Sequence, residues 1–335
     1  MSSKDNGYLV GSNLEKMLRA GHFAVTGELG PPQSADPAVI REKAALLKGL
    51  VDAVNITDNQ TAIVRMSSIG AGTLVLQEGL EPVIQMTCRD RNRLAIQADL
   101  LGASALGLKN LLCLTGDHQI FGNHPTAKNV YDMDSLQMVH MVTEMRDKAI
   151  FQCGDEMKGQ TASFLIGAAA APFADPIPFR PLRLAKKVKA GANFIQTQLV
   201  YDVKEFAKYM DKVREMGLHE ETYILAGVGP LKSPGMAKYM KNNVPGILVP
   251  DEVIDRMLEA GKEWAGKKAS ELAPEEKKAR SKAWQTEGIQ VCIDLIKDLK
   301  KIEGVAGVHI MAIEWEEAVK PIVEGAGLYP RPEVK

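Results

Sequence analysis

The feature that most constrains this chain is its alternation. Short apolar runs at 23–29, 52–57, 82–88, 111–114, 162–171, 193–200, 222–228 and 308–313 read as strands. Amphipathic stretches at 37–50, 65–78, 92–106, 135–148, 180–189, 203–216, 234–242 and 316–323 read as the helices between and after them. A single βα series of that length predicts a parallel (β/α)8 barrel, with a doubly wound open sheet as the competing arrangement. The chain has no Gly-x-Gly-x-x-Gly after a strand and no Walker A spacing. Without a repeat or a low-complexity linker, its 335 residues read as one barrel domain. A short extension covers 1–11, and a helical insertion, about 251–301, precedes the last strand. The middle of that insertion, 262–282, is dense in Lys, Glu and Ala and reads as a solvated helical face or a partner-binding surface.

A net charge of −1 gives no electrostatic case for nucleic acid or an anionic membrane. No apolar run approaches the roughly 20 residues of a membrane helix, and the polar residues 1–10 lack the apolar segment of a signal peptide. Cys88, Cys113, Cys153 and Cys292 are scattered, with no Cys-x-x-Cys pair, so no metal site is expected. The expectation is a reduced, cytoplasmic protein.

In a parallel barrel, the carboxyl ends of the strands converge on one mouth, where chemistry takes place. The first run ends at Glu28, the second at Thr57, Asp58 and Asn59, and the third spans Gln85 to Asp90. Residues 110–117, Asn-Leu-Leu-Cys-Leu-Thr-Gly-Asp, form an apolar run that turns at Gly116 and presents Asp117. Taken alone, Asp117 is a turn cap or a functional acid; its place in the series favours the second. Glu28 is a candidate proton donor or an acid paired with a barrel Arg or Lys. Gln196 and Gln198 lie at period two and share a face, as ligand contacts or as satisfied core amides. Arg180, Arg183, Lys186 and Lys187 make a basic stripe on one helix, for a phosphate-bearing cofactor or for solvent.

Six short motifs occur in order: Glu28 before Gly-Pro-Pro, Thr57, Met86-Thr87-Cys88-Arg89-Asp90-Arg91-Asn92, Leu114-Thr115-Gly116-Asp117, Ala190-Gly191-Ala192-Asn193 and Gln196-Thr197-Gln198. Over about 12–325 the sequence resembles the methylenetetrahydrofolate reductases. That resemblance implies a flavin-containing (β/α)8 barrel that reduces 5,10-methylenetetrahydrofolate to 5-methyltetrahydrofolate by hydride transfer. It is an activity of one-carbon metabolism that feeds methionine biosynthesis or acetogenesis. Glu28 would be the acid that opens the folate ring, and Asp117 would lie near flavin and pterin. Gln198, with Gln196 beside it, would contact the pterin. Thr57, Gln85, Leu114, Thr115 and Gly116 would line the flavin, and Arg183, Lys186 and Lys187 would reach its phosphate or ribityl chain.

The sequence also departs from the family pattern. Gln85 stands where the best-known bacterial members have His. Residues 171–175 lack their Tyr and His, 245–255 lacks an aromatic residue, and the last strand reads His309-Ile310-Met311-Ala312 where a Tyr is expected. The catalytic half of the motif set is thus kept and the nicotinamide half is not. This leaves FAD or FMN as the flavin and points to members that take electrons from a partner subunit, in an oligomer. The competing readings are a flavin- and pterin-binding subunit active only within a redox complex, and a flavin-free pterin methyltransferase barrel. An aldolase-type barrel ranks last, for want of a Schiff-base Lys at a strand end.

Overall fold

The structure is a computed structural model describing residues 9–334, so the start of the extension expected over 1–11 lies outside the described residues. Helix α1 (Asn13–Arg19) comes first, and the sequence reading did not anticipate it. Then follow β1 (Ala24–Leu29), α2 (Pro37–Leu47), β2 (Ala53–Ile56), α3 (Ser68–Gln77), β3 (Pro82–Thr87), α4 (Arg93–Ala105), β4 (Asn110–Leu114) and α5 (Ser135–Asp147). The second half has β5 (Leu165–Ala170), α6 (Arg180–Lys189), β6 (Phe194–Leu199), α7 (Val203–Glu215), α8 (Leu218–Glu221) and β7 (Tyr223–Val228). It continues through α9 (Pro234–Asn243), α10 (Asp251–Glu259), α11 (Pro274–Leu299), β8 (Val305–Ile310) and α12 (Val319–Gly325). All eight strands pair in parallel, each with the next, and β8 closes on β1. The chain is a (β/α)8 barrel.

Local signals set the helix starts. Asp36 accepts from the Ala38 amide with Pro37 in the first turn, and Asp134 and Gln137 form a reciprocal capping box on α5. Outward strand residues such as Val54, Ile84, Ile195 and Val308 pack with the helices in the main core. Inward residues build layers up the barrel. The lowest holds Ala24, Ala53, Val83, Leu112, Leu165, Phe194 and Leu225, closed beneath by Leu14 and Leu18 of α1. Gly167 makes room for this plug, since a Cβ there would lie 2.2 Å from the Phe194 ring.

Two residues further along each strand the interior turns polar, with Thr26, Asn55, Gln85, Gln196 and His309 all buried. The register places Thr26 opposite His309 across the closing β1–β8 seam.

The last strand was expected at 308–313 and lies at Val305–Ile310. Its first half, Val-Ala-Gly, reads as a turn by composition, but small size is what the seam demands: a Cβ on Gly307 would lie 2.3 Å from the Ala24 carbonyl oxygen. The segment between β7 and β8 is largely helical, and α11 crosses so near the β7 loop that a Cβ on Gly288 would lie 1.8 Å from the Leu231 oxygen. No helix among the described residues is long and apolar enough to cross a membrane.

Candidate active site

A cavity of about 400 Å³ opens at the carboxyl end of the strands. Its wall includes Glu28, Gln85, Leu114, Gln196 and Gln198 from the strands, Thr115 just after β4, and Arg180, Arg183 and Lys187 from α6. Nine of the residues singled out from sequence therefore meet at one mouth: Glu28, Gln85, Leu114, Thr115, Arg180, Arg183, Lys187, Gln196 and Gln198. Thr57, Gly116, Asp117 and Lys186 stand outside that wall.

Glu28 has no Arg or Lys partner among the described residues. Its carboxylate Oε2 lies 3.5 Å from His309 Nε2, and both side chains are largely shielded, at 11% and 4% exposure. Behind the imidazole, Nδ1 is 3.0 Å from Thr26 Oγ1. Gln196 belongs to the layer beneath: its Nε2 donates to Thr26 Oγ1 at 3.1 Å and to Asn55 Oδ1 at 3.0 Å, and Asn55 Nδ2 donates back to its Oε1 at 2.6 Å. It is the satisfied core amide of the two readings, though it still floors the cavity. Gln198, one layer up, accepts from the Leu199 amide through Oε1 at 2.9 Å, which leaves its NH2 for a ligand.

Asp117 is exposed at the rim. Its backbone oxygen accepts from Arg89 Nη1 at 3.1 Å, while its carboxylate has no hydrogen bond among the described residues. The turn that presents it depends on Gly116, at φ +92°, where a Cβ would lie 3.0 Å from Thr87 Cβ. Thr115 faces the start of α5, accepting from the Ser135 amide at 3.3 Å and donating to Ser135 Oγ at 3.1 Å. Thr57 is buried, and its hydroxyl has no hydrogen-bond partner among the described residues.

The basic stripe divides by helix face. Lys187 is buried and donates to the Ala169 carbonyl. Burial, reinforced by nearby Arg183, pulls its ammonium down to about 8. Arg183 lines the cavity with no hydrogen bond among the described residues. Arg180 donates to the Ala174 and Asp175 carbonyls. Lys186 turns away, 5.6 Å over the exposed Phe179 ring. Cys113 also lines the cavity, its thiol pushed far up by burial. No group of three or more His, Cys, Asp or Glu able to hold a metal occurs among the described residues.

Sequence reasoning missed His309 as a member of the site. Its signal was a lone polar residue flanked by Val308 and Ile310, which pack outward, so period two turned it inward.

These features define a (β/α)8 barrel whose mouth joins a shielded acid, amide side chains and a cationic helix face. The chain belongs to the methylenetetrahydrofolate reductase family, whose model matches residues 13–327. It is 24% identical over 271 residues to a Caenorhabditis elegans protein described as probable methylenetetrahydrofolate reductase (NADPH), covering 81% of this chain and 36% of the relative. It is 27% identical over 260 residues to methylenetetrahydrofolate reductase 2 of Schizosaccharomyces pombe, covering 73% and 35%. The chain thus spans about a third of the length of these relatives. Among solved structures, an uncharacterized protein from Clostridium thermocellum that binds two copies of 5-methyl-5,6,7,8-tetrahydrofolic acid aligns with a TM-score of 0.56. That alignment has 13% identity and covers 94% of this chain and 99% of that one, a likeness of fold.

Proposed function

We propose that this barrel reduces 5,10-methylenetetrahydrofolate to 5-methyltetrahydrofolate with a bound flavin. The observation that carries the reading is Glu28, shielded on the cavity wall, together with Gln198 and the cationic face of Arg183 and Lys187. Polar and cationic groups at or near the cavity also suit a flat, phosphate-bearing ring system. These are the buried hydroxyl of Thr57, which has no hydrogen bond among the described residues, the side chain of Gln85 on the cavity wall, and Arg183 and Lys187, which make one hydrogen bond between them among the described residues.

Thr57, Gln85 and the 114–116 backbone would hold the ring, and Arg183 and Lys187 the phosphate end. Lys186 reaches that end only by leaving the Phe179 ring. A flavin bound there supplies a hydride equivalent. Glu28 gives its proton to N10 of the substrate as the methylene–N10 bond breaks, leaving an iminium at N5. That carbon takes the hydride and becomes the N5-methyl group, so one proton and one hydride enter per turnover. Gln198 donates to the pterin. Asp117, an anion at the rim beside Arg89, anchors the pterin and shapes the field at the ring. Because 245–255 carries no aromatic residue, electrons reach this chain from a partner subunit. Rapid flavin reduction by NADH in the isolated chain would sink that part.

The decisive experiment is anaerobic titration of the purified protein with 5-methyltetrahydrofolate, which runs the reaction in reverse. A yellow protein that bleaches and yields methylenetetrahydrofolate supports the proposal. A colourless protein that binds the pterin supports the methyltransferase reading.

A further inference from the structure

Glu28 must be held in one orientation and must recover a proton in each cycle, and its surroundings limit how both are done. Among the described residues, the ionisable side chain paired with it is His309, with Nε2 3.5 Å from Oε2. Its other oxygen, Oε1, has no hydrogen bond among the described residues and remains free for a ligand. The imidazole is itself fixed, because Thr26 Oγ1 lies 3.0 Å from Nδ1 and is held in turn by Gln196 Nε2 at 3.1 Å. Gln196 is locked to Asn55 by two reciprocal hydrogen bonds. A chain Asn55–Gln196–Thr26–His309–Glu28 therefore runs from β2 and β6, through β1 and β8, to the acid.

We infer that His309 is the positioning residue for Glu28: the imidazole seats Oε2, directs Oε1 at the substrate amine, and carries back the proton that Glu28 has given up. The inference rests on the reading of Glu28 as the proton donor. The proton balance is closed. Glu28 loses a proton to N10 and becomes a carboxylate; protonated imidazole passes the Nε2 proton to Oε2; solvent then restores the imidazole.

The test uses the full-length flavin-loaded protein, reduced anaerobically with dithionite and mixed with methylenetetrahydrofolate. In His309→Ala, flavin content stays native and reoxidation slows by about 10²-fold, the lower end of what general acid catalysis contributes. The loss falls on kcat rather than KM, and added imidazole restores most of it. Thr26→Val, which keeps the ring but frees Nδ1, shows a smaller loss of the same kind. As a readout independent of turnover, the imidazole nitrogen chemical shifts of His309 move in Glu28→Gln, while those of the other five of the six histidines do not.

Wild-type reoxidation in His309→Ala, or a loss that imidazole leaves untouched in a natively folded variant, overturns the inference. If His309→Ala fails to fold, unchanged His309 shifts in Glu28→Gln and a wild-type rate in Thr26→Val overturn it instead. A wild-type protein that is loaded with flavin yet inert toward methylenetetrahydrofolate overturns the function reading, and this inference falls with it.

Discussion

Lys187 donates to the Ala169 carbonyl inside the cavity wall, and burial brings its ammonium from 10.5 to about 8. The sign of the linkage follows. Between about 8 and about 10.5 the unfolded chain binds the proton and the folded one has lost it, so this residue's contribution makes folding more favourable as pH rises through that window. Below it, the buried charge is a standing cost. Lys187→Met is therefore expected to stabilise the flavin-free protein near neutral pH, to lose that advantage toward pH 10.5, and to bind flavin weakly at any pH. Urea midpoints of both proteins across the window, with flavin titrations, check this. Glu28→Gln gives the complementary result: flavin binding is unchanged, and reoxidation by methylenetetrahydrofolate falls by about 10²- to 10⁴-fold in stopped-flow traces. Both side chains stood out in the sequence, one ending a strand and one in a basic stripe. Which cation of the stripe is buried did not, because the choice between Lys186 and Lys187 depends on how α6 rolls against β5.

The turn after β4 sets the edge of the cavity. Gly116 occupies a left-handed conformation and packs against β3 and its following loop, with an added Cβ 3.0 Å from Thr87 Cβ and 3.1 Å from Arg89 Cβ. Gly116→Ala is expected to cost about 1–3 kcal/mol, from the φ penalty and the clash together, and to move Asp117 at the rim. Denaturant unfolding reads the first effect, and a weaker pterin Kd reads the second. The glycine was legible because a turn must follow an apolar run. The start of β8 was not: Val-Ala-Gly lacks the bulk that marks a strand, and only the carbonyl of Ala24 across the seam shows why bulk is excluded. Helix α1 escaped notice for a related reason. It has seven residues, too short for its period to show, yet Leu14 and Leu18 close the floor.

A buried ion pair ties the amino-terminal end of the barrel. Asp52, just before β2, accepts from Arg331 Nε at 2.9 Å, from Arg331 Nη2 at 2.7 Å and from the Val25 amide at 2.7 Å. Arg331 also donates to the Phe23 carbonyl, so the tail after α12 clasps the entries of β1 and β2. Arg331→Ala leaves the Asp52 carboxylate buried and unpaired, and is expected to cost about 3–5 kcal/mol in chemical denaturation. The paired change Asp52→Asn with Arg331→Met should cost less than the single one. The order and parallel direction of the strands were written in the sequence, because periods of two and 3.6 are local properties of the chain. So were the residues at the strand ends, since a strand end is where a run stops. Only closure decided which of them meet. Pairing β8 with β1 sets His309 against Thr26 and within 3.5 Å of Glu28, although nearly the whole chain separates them. Closure likewise buries Gln196 in the floor while Gln198 lines the mouth. Local periodicity fixes which face a side chain takes. The register of a closed sheet fixes its height and its neighbours, and that is set by packing of the whole molecule.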